Sequence, residues 1–467
     1  MEETRKLARF ASELAFDSIP KEVVSKAKLL ILDQIGAMLG AATLPWSRSV
    51  LDYVLDWGGV EGNSTVAYFG TKTRLELAAF ANACFGHGFE IDDLYVRGQS
   101  HPGCVVIPTA IAACESQAGS GRDLLTAVVA GYEVMGRINH AIMPSCAEKG
   151  FHAATSVTGP FGAAIAAGKL HRLDAGLMVH AMSIAGSHAS GTIEYDQGGG
   201  SVKRVHAGIA AAAGVRSVLL AKHGITGPAT ILEGKHGICH VFADSCDLGR
   251  LTRGLGTDFP VVTGTGFKAY CCCAGMHSGI EALQNLMWKH SMDAAAVKSI
   301  TMGTHSRALS HISAEATDIT SAQFSARFGL AVRMLRGANG FSEYTPETLR
   351  DPAIRALMER IALERDEVCD SEWPKTRGAR VRIVMSDGRQ LEEKVDYYTG
   401  MEENPMSDDA VRTKFMTLLG PLVPERQLTE ILSLVTQLED APDLLPLARL
   451  LCVPDGPRDQ TPSRPSH

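Results

Sequence analysis

After Ser18 and Pro20, the residues Val23, Ala27, Leu30, Ile31, Ile35 and Leu39 recur at the spacing of one helical face, with polar residues between them. That period predicts an amphipathic helix with a marked start. The same period, on a background rich in Ala and Gly, predicts helices over 104–118, 122–143, 155–170, 174–188 and 204–222. Small residues let helix axes approach closely, so these segments read as one packed group. From about residue 265 the pattern changes. Period-two runs at Val297–Thr304 and Arg380–Met385 predict strands, and Ser386-Asp387-Gly388 predicts a hairpin turn before Leu391–Tyr398. Helical spacing returns at Asp408–Leu419 and Glu425–Leu438, and the Pro-rich, polar stretch after Val453 predicts a disordered tail. The chain is therefore expected to be mainly α, with a smaller α+β part and final helices free to rejoin the first group.

Length and composition narrow the class. At 467 residues and 45% hydrophobic content, the chain exceeds one ordinary domain and can bury a large core. A formal charge of −7 with dispersed basic residues argues against nucleic acid or an anionic membrane as partner, because both need concentrated positive charge. No run of eighteen apolar residues is free of charge, and the start MEETRKLARF lacks the apolar stretch of a signal peptide, so a cytoplasmic protein is expected. Eleven cysteines include no CxxC pair. Cys271, Cys272 and Cys273 are consecutive, so a regular element cannot aim all three at one metal, and they read as reduced thiols rather than cluster ligands.

Four polar segments interrupt this apolar background. GTGFKAYCCCAGMH, Gly264 to His277, sets Lys268 between a Gly-Thr-Gly turn and apolar residues, a setting that desolvates a lysine and makes it a usable proton acceptor. HGFEIDDLYVRGQSHPG, His87 to Gly103, concentrates two histidines, three carboxylates and Arg97. GFHAATSVTGPFGAAIAAGKL places His152 before a helix of small residues, and GGGSVKRVHAG places Lys203 and Arg204 at another helix entry, where glycines allow an anion close to the backbone. His277 falls where a helix should begin, so the helix N-terminus would disfavour its protonated form and suit a neutral proton shuttle.

These segments, in this order, resemble the MmgE/PrpD family, as do LARFASELAFDSIPKEVVSKAKLLILDQIGAMLGAA near the start and FSEYTPETLRDPAIRALMERI late in the chain. The resemblance spans nearly the whole sequence. It implies a metal-independent homodimer with no cofactor that acts on a small polycarboxylate, as 2-methylcitrate dehydratase, cis-aconitate decarboxylase and iminodisuccinate epimerase do. It also implies a large all-helical domain from residues 1–264 and 398–453, an inserted α+β lid from 265–397, and a tail from 454 to 467. Lys268, His101 and His152 would be catalytic. Glu90, Lys203, Arg204, His277 and Arg97 would bind substrate; His87, Asp92 and Asp93 read as lying behind the site, with one or both aspartates capping helices or orienting His101. Tyr195 and Tyr270 are weaker candidates as proton donors.

Departures from the family pattern bear on the substrate. Glu90 stands where relatives usually have aspartate, Leu94 where many have threonine, and Phe328 where the decarboxylase branch carries tyrosine; the loop before His101 is one residue longer and holds Arg97. The resulting expectation is a dehydratase-like lyase that removes a proton alpha to a carboxylate and expels a β-group. Epimerisation of an aminodicarboxylate, decarboxylation of a cis-aconitate-like acid, or simple binding of a polycarboxylate without turnover are the alternatives.

Overall fold

The computed structural model describes residues 2–58 and 61–453, and the expected tail at 454–467 lies outside them. The protein is mainly α, 57% helical with 10% strand. The helix built on Val23 to Leu39 runs Lys21–Ala41, and the Ala- and Gly-rich segments form Gly103–Ser116, Gly121–Ile142, Gly159–Leu170, Ala175–Gly186 and Val202–Lys222. Each lies within a few residues of the span its spacing predicts, except that 155–157 winds as part of a short π-helix, Ala153–Val157, before the regular helix starts.

Small residues hold these helices together at short range. A Cβ on Gly208 would sit 2.3 Å from Cys84 Sγ, and one on Gly214 would sit 2.3 Å from Ala163 Cβ. Any side chain at either place would force apart the Val202–Lys222 helix and its neighbours. That helix is, by itself, the one described helix long and apolar enough to cross a membrane, yet 61% of its apolar window is buried within the protein. It is a core helix that carries Lys203 and Arg204 inward at its first turn.

The C-terminal helices Asp408–Leu419 and Glu425–Thr436 return to this first core, where Val411, Phe415, Leu419, Leu428 and Ile431 are buried with Leu30, Ile31 and Ile35. Lys414 ties the return with an ion pair of 2.7 Å to Asp33 on the Lys21–Ala41 helix, and it also donates to the Ile91 carbonyl at 2.8 Å. A second core gathers residues 271–385 around a four-stranded sheet ordered Ile361–Arg365, Val297–Thr304, Ala379–Met385, Gln390–Val395. The first two strands are parallel, and the others pair antiparallel. Gly388, at φ +90°, turns the expected hairpin. The Ile361–Arg365 strand has no period-two signal and was not expected. Ala37, Ala41, Phe89 and Ile91 reach across from the first part of the chain into this second core.

The Gly-Thr-Gly segment before Lys268 is not the flexible turn expected. Thr265–Gly266 pairs antiparallel with Leu94–Tyr95, and Phe267 N–H donates to the Gly400 carbonyl at 3.0 Å. Gly266 and Gly400 press backbone to backbone: a Cβ on Gly266 would meet the Gly400 oxygen at 1.9 Å. Lys268 is thus delivered by a buried ladder tied to the His87–Gly103 segment.

Candidate active site

The Leu75–Gly86 helix ends at His87, and the chain turns through Glu90, whose φ of +58° is uncommon for a residue with a side chain. Such a conformation costs on the order of 1 kcal/mol and persists where surroundings over-determine it. Here they do. The Glu90 carboxylate is 2% exposed, and both of its oxygens are held. Oε1 accepts a short hydrogen bond from Lys203 Nζ, Oε2 accepts from Lys268 Nζ at 3.2 Å, and the Arg204 guanidinium lies 3.7 Å from Oε1. Lys268 itself is 1% exposed, which rules out a solvated loop lysine. Burial, with the charges of Lys268 and Arg204, pulls the Lys203 pKa well down.

Arg204 is fully buried behind this cluster, with its guanidinium over the Trp46 ring and hydrogen bonds to Thr320 and Gln323. Burial lowers its pKa to about 10, so it stays cationic at neutral pH. Gln323 donates onward to the carbonyls of Phe89 and Cys271, joining the Glu90 and Lys268 segments.

Beside the lysines lies a layer of histidines. His101 Nδ1 is 2.7 Å from the Asp93 carbonyl oxygen, which can only accept, so Nδ1 carries the proton. Burial, then the charge of Lys268, lowers its pKa to about 4. At neutral pH the ring is therefore neutral, with its lone pair on Nε2. Asp92 lies behind: its Oδ2 is 2.8 Å from His87 Nδ1 and 3.6 Å from His101 Nδ1, and its Oδ1 is 3.6 Å from Lys268 Nζ. Burial alone would raise the Asp92 pKa, but His87, Lys268 and His101 hold it well below the usual carboxylate range. Asp93 has the opposite fate. Burial first and the Asp92 charge second push it to about 8, so it is a neutral acid that accepts from Tyr132 OH and Gly103 N–H.

His152 is buried next to His87, and its pKa is driven well down by burial and then by His206. Its Nδ1 is 2.8 Å from His206 Nδ1, so one ring donates and the other accepts.

Glu90, His101, His152, Lys203 and Lys268 line a single cleft where the two cores meet. Tyr195, Phe324 and Cys273 form other walls, and Arg307, His311 and Arg377 stand on the side of the second core. The cavity is about 150 Å³, which suits a compact acid and is too small for a nucleotide-sized ligand. His87, Asp92 and Asp93 sit behind the lining.

Three expected contacts do not reach this cleft. Arg97 points outward to Asp258 and Glu402, at 3.6 and 3.3 Å, because its strand-end position faces the surface. Arg204 supports Glu90 from behind, and His277, fully buried, lies between the Tyr270 and Tyr398 rings with Nε2 3.3 Å from the Cys272 carbonyl. His277 does open the His277–His290 helix, and burial and Lys268 lower its pKa to about 3, which keeps it neutral. Phe328 packs in the second core against Tyr344; the ring that faces the cleft is Phe324. Tyr270 is covered by the Arg333 guanidinium.

The consecutive cysteines diverge: Cys271 and Cys272 enter the second core, while Cys273 faces the cleft. Among the described residues, His87, Asp92 and Cys104 form the one cluster with metal-ligand spacing. Its donors are already paired, His87 with Asp92 and the Cys104 thiol with the His101 carbonyl, and burial keeps that thiol protonated. Sequence reasoning missed His206, His305, Arg307, His311 and Arg377. The run His305-Ser306-Arg307-Ala308-Leu309-Ser310-His311 is polar enough to have been noticed, and His206 lies inside the GGGSVKRVHAG segment already singled out; Arg377 carries no local signal.

A cleft lined by two buried lysines, a buried carboxylate and neutral imidazoles is chemically suited to a small anion and to moving protons beside it. The family comparisons agree with that class. Residues 5–250 match the MmgE/PrpD N-terminal domain and residues 270–440 the MmgE/PrpD C-terminal domain, and the chain belongs to the MmgE/PrpD family. It is 30% identical to cis-aconitate decarboxylase of Aspergillus terreus, over 97% of this chain and 96% of that one. The cis-aconitate decarboxylases of Mus musculus and Homo sapiens are 26% and 23% identical, each over at least 93% of both chains.

Proposed function

We propose that the protein is a lyase acting on a small polycarboxylate through a carbanion delocalised into a carboxylate. The observation that carries this reading is the convergence of buried Lys203 and Lys268 on one carboxylate, that of Glu90, at the cleft wall. Two ammoniums so placed can hold a substrate carboxylate and take up the charge that develops on it, and in a dry site that charge is worth far more than in water.

The full-length likeness to cis-aconitate decarboxylases favours decarboxylation of a cis-aconitate-like acid. In that reaction the bond from the CH2 carbon to its carboxyl breaks, carbon dioxide leaves, and the electron pair shifts across the alkene into the conjugated carboxylate held by the lysines. A proton then adds at the carbon alpha to that carboxylate, giving a methylene-substituted diacid. Lys268 is the donor in this reading, with His152 and Tyr195 shaping the far wall and water restoring the proton.

A second reading, dehydratase-like elimination, draws on His101. Its neutral ring with the Nε2 lone pair at the cleft is a base suited to removing an alpha proton. Lys268 would then protonate the departing hydroxyl.

In both readings the helical segments 1–264 and 398–453 form the frame and 265–397 the closing part, a division that the two separate cores support. A homodimeric, cytoplasmic enzyme with no cofactor completes the proposal. Proton NMR in deuterated water tests it. Carbon dioxide release with new methylene signals from cis-aconitate means decarboxylation, an alkene formed from a hydroxy acid means dehydration, and deuterium exchange without an alkene means epimerisation. No change with any polycarboxylate would refute the lyase reading.

A further inference from the structure

The proposed chemistry uses the lysine side of the cleft and leaves the opposite wall unexplained. There two arginines, Arg307 and Arg377, line the same cavity from different elements of the second core's part of the chain. Arg307 stands on the Ser306–Ile312 helix, whose start is held by the His305 side chain accepting from Ala308 N–H and by Asp370 accepting from Ser306 N–H at 2.7 Å. Arg377 lies in the segment leading to the Ala379–Met385 strand. Its backbone carbonyl accepts from Ser278 Oγ at 2.7 Å, and its Nη2 donates to the Val96 carbonyl at 2.9 Å. Ser278 thus fixes the backbone, and the loop that leads to His101 fixes one end of the guanidinium.

What these arginines lack is an acceptor at Nε. The Nε of each is shut away from water and has no hydrogen-bond partner, and among the described residues neither forms an ion pair with a carboxylate. This contrasts with Lys203 and Lys268, which already share Glu90 and Asp92. A buried guanidinium edge without an acceptor is costly, and the group that satisfies it best is a carboxylate gripping Nε and one Nη together. Glu148 and Asp196 are the carboxylates close enough to bear on the charge of Arg307. Asp196 accepts from His311 at 2.8 Å, and that pair closes the same wall.

We infer that Arg307 and Arg377 form an outer anion subsite that grips a second carboxylate of the substrate while Lys203 and Lys268 hold the reacting one. This rests on the polycarboxylate reading above and sharpens it: the two arginines set the requirement for a distant second carboxylate and act on binding, not on the chemical step.

The test uses calorimetric or NMR titration of the full-length protein with propane-1,2,3-tricarboxylate and with its terminal monomethyl ester, which caps one carboxylate. Wild type is expected to bind the triacid roughly 10- to 100-fold more tightly than the ester, the range for charged hydrogen bonds. Arg307→Gln and Arg377→Gln should each shrink that preference to about 3-fold or less, and Arg377→Lys, which keeps the charge but not the fork, should fall between. With turnover, the same variants should raise KM and leave kcat nearly unchanged. Arginine variants that keep the full wild-type preference, or a wild type that binds acid and ester alike, would overturn the outer subsite alone. A wild type that binds neither compound would bring down the polycarboxylate reading with it.

Discussion

Replacing Glu90 by Gln keeps the shape of the side chain and removes one charge from the centre of the cation cluster. Lys268 Nζ lies 3.2 Å from Glu90 Oε2; at an effective dielectric constant of about 20, a unit pair at that distance attracts by about 5 kcal/mol. Arg204, 3.7 Å from Oε1, adds a similar attraction, and Lys203 is closer still. Against this, the amide no longer has to be stripped of water as a charge, and its oxygen still accepts a hydrogen bond. The net destabilisation expected is about 3–5 kcal/mol, as for other buried ion pairs broken from one side. The loss should depend on pH. Burial and its cationic neighbours already hold the Lys203 pKa well below 10.5, and losing Glu90 lowers it further. Between the variant's value and the higher one of the wild type, the folded variant binds fewer protons than the folded wild type, so the variant's stability rises with pH relative to wild type and its deficit shrinks. Urea unfolding at pH 6 and pH 9 reads both effects. A deficit below about 1 kcal/mol at pH 6, or one that grows toward pH 9, would refute this account of the cluster.

Three further perturbations separate its parts. With the His101 pKa lowered to about 4, the folded ring holds its proton less tightly than the unfolded one, so between about pH 6.5 and 4 folding should weaken as pH falls; an NMR titration of the ring with a midpoint near 6.5 would contradict the burial argument. Asp93, raised to about 8, is an acid at neutral pH, so its own contribution to wild-type stability should fall as pH rises from about 4 to 8, opposite in sign to that of His101. Asp93→Asn should cost no more than about 1 kcal/mol at pH 7 and flatten that slope, as urea midpoints would register. Gly400→Ala should displace the ladder that carries Lys268, since φ is +108° and the new Cβ would meet the Phe267 oxygen at 1.9 Å; a loss of at least about 2 kcal/mol in thermal unfolding is expected.

The long helices were legible because one-sided burial leaves a period in the sequence, as from Val23 to Leu39. Lys268, His101, His152, Lys203 and Glu90 were singled out chiefly by the resemblance to the MmgE/PrpD family, and the structure brings all five to one cleft. What the sequence could not convey was direction. Arg97 and His101 share one polar segment, yet the Leu94–Tyr95 pairing with Thr265–Gly266 sends one outward and the other into the cleft. Phe324 and Phe328 lie one helical turn apart, near the start of the Ala326–Arg336 helix, and only tertiary packing decides which ring faces the cavity. The outer arginines arrive from segments about 70 residues apart, and although the His305–His311 run around Arg307 is locally polar, no local pattern could announce that Arg377 joins it at one cavity.

The central claim is that the buried lysine pair handles the charge of a carbanion, and the most direct measurement compares wild type with Lys268→Ala on cis-aconitate and on citrate-like hydroxy acids, by proton NMR in deuterated water with trapping of released carbon dioxide. The account predicts turnover by wild type, with deuterium at the carbon alpha to the retained carboxylate when carbon dioxide leaves, and a drop of at least about 100-fold in the folded variant. Full turnover by folded Lys268→Ala, or product formed without Lys268-dependent proton delivery, would contradict it.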